Sequence, residues 1–78
     1  MTEAEAINLI ERALEKALDK KISVTRETDL FKEKILDSLD TMVFFLELEE
    51  VSGKKFPEEN LAEAGFSKVS RIVEHLVS

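Results

Sequence analysis

Between Asp37 and Gly53 the chain reads Ser-Leu-Asp-Thr-Met-Val-Phe-Phe-Leu-Glu-Leu-Glu-Glu-Val-Ser. Asp37 is a good helix N-cap, Asp40 sits where acid suits the positive end of the helix dipole, and Gly53 supplies a stop. A helix over residues 38–52 is therefore expected. At roughly 100° per residue, Phe44, Leu48 and Val51 share one stripe, with Phe45 at its edge. Leu39, Val43 and Leu46 form a second stripe on a different side, and Met42 lies between that stripe and Ser38. A helix apolar over most of its circumference needs partners on more than one side. One face must pack in a core. The other is flanked by Glu47 and Glu50, acids that a buried face would not tolerate, so it reads as a docking face.

The rest of the chain supplies the packing. Thr2 and Glu5 have capping-box spacing. Ile7, Ile10, Leu14 and Leu18 then recur at helical spacing, with Ala6, Ala13 and Ala17 beside them and Glu3, Glu11, Arg12, Glu15 and Lys16 mostly off the stripe. From Asp19 to Leu36 no period holds. Ile22, Val24, Leu30, Phe31 and Ile35 are expected to pin an ordered connection across the bundle, with Thr28 or Asp29 capping a single turn. Lys20, Lys21, Arg26, Lys32 and Lys34 read as solvated rather than as a phosphate site. After Gly53, Pro57 followed by Glu58 and Glu59 suits the start of a short helix, with Leu61 inward and Gly65 at its end. Phe66 and Ser67 read as a staple residue and an N-cap for a last helix carrying Val69, Ile72, Val73 and Leu76. The expected fold is an all-α four-helix bundle: three main helices and one short one in a single domain over residues 1–78, with a long loop between helices 1 and 2.

Seventy-eight residues lie near the length at which one core is only marginally stable, and the absence of cysteine removes both disulfides and thiolate metal sites. The formal net charge of −6 argues against nucleic acid and anionic lipid and favours partners with basic patches. The longest apolar run, residues 42–46, is too short to cross a membrane. The start, Met-Thr-Glu-Ala-Glu, lacks the basic residues of a secretory signal, so a cytoplasmic monomer is expected. The single histidine, His75, falls on the last helix among solvated residues and far in sequence from Ser38. No paired catalytic constellation can be assembled, so the chain is not expected to be an enzyme. Ser38 remains: a hydroxyl in the first turn of a helix, where Asp37 can do the capping and leave it exposed.

Asp37-Ser38-Leu39, then Asp40-Thr41, Leu46, the pair Glu49-Glu50, Phe56-Pro57 and the closing Val69, Ile72, Val73 and Leu76 resemble the acyl carrier proteins over almost the whole chain. Leu30-Phe31 with Ile35-Leu36-Asp37-Ser38 resembles the variant seen in D-alanyl carrier proteins. The resemblance implies 4′-phosphopantetheine esterified to Ser38, donated from coenzyme A by a separate phosphopantetheinyl transferase using magnesium. It implies a thioester-bound cargo on that arm, delivered to partner enzymes of fatty acid, polyketide or related synthesis. Asp37 would serve transferase recognition. Leu39, Met42, Val43 and Leu46 would make apolar contacts, and Asp40, Glu47, Glu49 and Glu50 would meet basic patches on acyl-loading and acyl-accepting enzymes. Lys32-Glu33-Lys34 departs from the loop common in the family, and Val43 stands where many fatty acid carriers have an acid, which points to a different set of partners. Phe44 and Phe45 are expected to fill the space in which the family shelters acyl chains, restricting long-chain cargo. Two alternatives stay open: an aminoacyl carrier of the D-alanyl or peptidyl type, and an unmodified helical interaction module.

Overall fold

The first helix, α1 (Glu3–Leu18), starts where its side chains can satisfy its free amides. Thr2 Oγ1 accepts from the Glu5 amide at 3.2 Å, and Glu5 Oε1 accepts from the Thr2 amide at 2.8 Å, so the reciprocal box is complete. The backbone hydrogen bond from Thr2, followed by the bond from its hydroxyl, holds the Glu5 carboxyl below the usual carboxylate value. The helix ends at Asp19, in the left-handed conformation (φ 56°), which short polar side chains tolerate. Ala6, Ile10, Ala13 and Leu14 are buried, while Ile7 and Leu18 at the stripe's margins are half-buried.

The computed structural model describes residues 1–57, 60–61 and 63–78. Among these, two further helices follow α1, namely α2 (Ser38–Ser52) and α3 (Val69–Val77), and no strand forms beyond one antiparallel bridge between Asp29 and Lys68. α1 packs against both α2 and α3. Phe44 and Leu48 of α2, and Val69, Ile72, Val73 and Leu76 of α3, complete the core with the α1 stripe.

The connection between α1 and α2 is ordered by the means its scattered apolar residues suggest. Val24, Leu30 and Leu36 are buried, and Glu11 of α1 accepts a hydrogen bond from the Val24 amide at 3.0 Å. Asp29 caps the turn that follows it, with Oδ1 accepting from the amides of Phe31 (3.0 Å) and Lys32 (2.9 Å). Its carboxyl is held below the usual value, chiefly by the Lys32 amide.

Two expectations are corrected and one is not shown. A fourth, short helix is not shown among the described residues 57, 60–61 and 63–65, where residues 61 and 63–65 form turns and Asn60 is left-handed (φ 61°). The helix start assigned to Glu58 and Glu59 lies outside the described residues. Ser67 does not cap α3. The N-cap position is Lys68, without a side-chain bond, because carbonyls from the first connection meet the helix amides: Val69 donates to Thr28 at 3.0 Å and Ser70 to Arg26 at 3.1 Å. Ser67 Oγ instead faces Asp29 Oδ2 at 3.4 Å. Finally, Val51, expected on the inward stripe, is 47% exposed, while Phe44, Leu48 and Phe45 are buried. Beyond Gly53 the chain returns over the Phe45 and Glu49 side of α2, and Val51, two residues and about 200° on from Glu49, is left uncovered.

Candidate functional site

The start of α2 is built by Asp37. Its Oδ1 accepts from the Asp40 amide at 2.7 Å, and its carbonyl accepts from the Thr41 amide at 2.9 Å and from the Thr41 hydroxyl. Capping is therefore complete without Ser38. Ser38 is exposed, and its hydroxyl has no hydrogen-bond partner among the described residues. The amides of Ser38 and Leu39 also lack protein partners there, as the first donors of a helix do.

Two surfaces meet at this serine, and a third feature backs one of them. The first is the apolar stripe: Leu39 is 71% exposed, Met42 64%, Val43 41% and Leu46 61%. Their spacing of three, four and seven residues gives one continuous face along α2. Asp40 and Glu47 edge it and Glu50 sits within it, so these expected docking residues share one side of the helix.

The second surface is a groove of about 490 Å³ along α2, with Ser38 and Thr41 at its helix-start end. Met42, Phe45, Leu46, Phe56, Pro57 and Leu61 give it an apolar lining. Glu49 belongs to this side and not to the stripe. Its Oε2 accepts from the Phe56 amide at 2.7 Å, which commits the carboxylate to holding backbone.

The third lies beneath the groove and is closed. Phe45 contacts Phe44 (centroids 4.9 Å apart) and Phe56 (5.2 Å), and Phe56 contacts Phe66 (5.3 Å), in tilted or edge-on geometries that aromatic quadrupoles favour. His75 joins this cluster, which corrects its expected place among solvated residues. It is half-buried, with its ring 4.6 Å from Phe56 and 5.4 Å from Phe66. A lone histidine on a helix gave no signal in sequence of the aromatics that tertiary packing brings to it.

The basic residues of the first connection do not gather into an anion site. Arg26 pairs with Glu3, and Lys20, Lys21, Lys32 and Lys34 are exposed. No cluster of three or more potential metal-ligating side chains occurs among the described residues, and no helix of the described chain is long and apolar enough to cross a membrane.

The residues around Ser38 suit an esterified phosphopantetheine. The hydroxyl is accessible and not engaged in capping, and the adjacent free amides lie at the helix end where a phosphodiester's negative charge is favoured. Compared with known proteins, the chain matches no family model, and no curated protein or solved structure is significantly similar to it.

Proposed function

We propose that this protein is a carrier of the acyl carrier type, with Ser38 as the attachment site of 4′-phosphopantetheine. The observation that carries the reading is the division of labour at the start of α2: Asp37 caps the helix, and Ser38 is exposed with no hydroxyl partner among the described residues, where its own amide and that of Leu39 also lack one. When bound, the arm supplies a terminal thiol on which a cargo is held as a thioester. This chain's part is to present the hydroxyl to a phosphopantetheinyl transferase, to favour the phosphodiester with the positive end of α2, and to meet successive enzymes. It needs no general base of its own, because the partners bring the chemistry.

The exposed stripe of Leu39, Met42, Val43 and Leu46 supports the partner half of the reading. Four large apolar side chains in a row on a 78-residue protein are more surface than folding requires. Asp40, Glu47 and Glu50 would steer basic patches on acyl-loading and acyl-accepting enzymes, an effect that acts on encounter rate and specificity more than on affinity. Weak, fast contacts suit a carrier that must leave each enzyme. The packed ring cluster of Phe44, Phe45, Phe56 and Phe66 supports short cargo over long, since the interior behind the groove is filled. An aminoacyl group is the alternative cargo.

The same stripe favours a second reading, an unmodified interaction module that uses α2 alone. Incubation with coenzyme A, magnesium and a broad-specificity transferase separates the two. The carrier reading expects a single added phosphopantetheine by intact mass on the wild type and none on Ser38→Ala. No addition with several transferases would favour the interaction module.

A further inference from the structure

One wall of the groove beside Ser38 has no helix to hold it. Residues 53–57 leave α2 through the left-handed Gly53 (φ 73°) and are non-helical, yet they place Phe56 and Pro57 in the groove lining. Two side chains from different helices take up the polar backbone groups of consecutive residues in this wall. From α2, Glu49 Oε2 accepts from the Phe56 amide at 2.7 Å. From α3, His75 Nε2 lies 2.7 Å from the Lys55 carbonyl oxygen. A carbonyl can only accept, so Nε2 carries the proton and donates. No other side chain among the described residues bonds the backbone of Lys55 or Phe56.

The same imidazole also covers the ring that lines the groove. Phe56 is 6% exposed and is held between Phe45, Phe66 and His75, with centroid distances of 5.2, 5.3 and 4.6 Å. Each clamp thus fixes backbone, and His75 fixes the side chain as well. Without Glu49 the part-buried Phe56 amide would lose its partner; without His75 the exposed Lys55 carbonyl would turn to water and Phe56 would lose a neighbouring ring, so in either case the wall would be held less firmly.

We propose that Glu49 and His75 are the specificity-determining pair of this groove: by holding residues 53–57 to α2 and to α3 respectively they set it to shelter a short apolar acyl group on the arm carried by Ser38. The cargo half of this proposal rests on the carrier reading of Ser38. The site favours that occupant: Ser38, which would carry the arm, is itself part of the lining, most of the lining is apolar, and the aromatic cluster behind Phe45 and Phe56 closes the way inward. Glu49 and His75 act through the wall and are positioning residues.

Two pairs of variants test this. His75→Phe keeps an aromatic ring against Phe56 but removes the donor, and His75→Gln keeps a donor. Glu49→Ala removes the acceptor, and Glu49→Gln keeps one. In the unmodified chain, hydrogen exchange at the Phe56 amide is expected to speed up by about tenfold in Glu49→Ala, the factor expected for its one lost hydrogen bond, to speed up by less in His75→Phe, which removes only the donor to the neighbouring carbonyl, and to stay near wild type in the two Gln variants. On the arm-bearing protein loaded with a butyryl group, hydroxylamine should cleave the thioester several-fold faster in the first two variants than in wild type. The variants lie on different helices, so a fold lost in one leaves the other to decide. Unchanged exchange in both His75→Phe and Glu49→Ala overturns the clamp. Faster exchange with unchanged thioester cleavage overturns the assignment of cargo. A wild-type chain that takes no arm sinks the carrier reading, and the cargo half with it, while the exchange result still decides the clamp.

Discussion

Helices α1 and α2 are nearly equal in length, 16 and 15 residues, and each begins with a side-chain cap, yet they use their surfaces differently. α1 buries one stripe and leaves charged residues outside, so its sequence is accounted for by folding alone. α2 buries Phe44, Phe45 and Leu48, lines a groove with Met42 and Leu46, and still exposes Leu39 and Val43. Stability does not require that surplus. The difference separates a helix whose apolar residues are used up by the core from one that keeps an apolar face exposed.

The largest test of this contrast is in the core. Phe44 is fully buried, so Phe44→Ala should cost about 3–5 kcal/mol, enough to remove much of the stability of a domain this size, as read from the urea midpoint. Next come the caps. Thr2→Ala and Asp37→Ala should each cost about 1 kcal/mol, which in a domain of this length shifts the thermal midpoint by about 4–8 °C. The two should differ in function: Asp37→Ala should also slow transfer to Ser38, whereas Thr2→Ala should leave it unchanged in a transferase time course. Leu39→Ser comes below these. At 71% exposure it should change stability by no more than about 0.5 kcal/mol while slowing transferase turnover, and a loss of several kcal/mol would make the stripe structural.

The smallest expected effect is on acid stability. The Asp29 and Glu5 carboxyls are both held below their unfolded values, Asp29 chiefly by the Lys32 amide and Glu5 chiefly by its hydrogen bond with Thr2. A depressed group stabilises the fold fully above its unfolded pKa, and that contribution is lost as pH falls through the folded value, here below about pH 4. Asp29→Asn should therefore lower stability at neutral pH and flatten its loss in acid, as followed by circular dichroism from pH 7 downward.

Where structure follows from neighbours in the chain, the sequence was a good guide. The Thr2 box, the Asp37 cap and the Gly53 stop depend on residues within one turn, and the start of α1 and both ends of α2 fall where those signals stand. The exposed stripe was also legible, because acids interleaved with apolar residues at helical spacing oppose burial. Arrangements made across long separations were not legible. α3 begins at Val69 without a serine cap because carbonyls of Arg26 and Thr28, some forty residues earlier, meet its first amides. Glu49 looked like one more surface acid until the return of the chain brought the Phe56 amide to it, and the same return left Val51 bare. His75 gained its setting from Phe56 and Phe66, which nothing local announces.

The central claim is that Asp37 frees one particular hydroxyl at the start of α2 for modification. Thr41, the other hydroxyl in that turn and also part of the groove lining, donates to the Asp37 carbonyl, whereas Ser38 has no such bond among the described residues. The most direct test is therefore fragment-ion mass spectrometry of the wild-type chain after incubation with coenzyme A, magnesium and a transferase. A single phosphopantetheine located on Ser38 is the expected result. Its location on Thr41, or an unmodified chain with several transferases, would contradict the account.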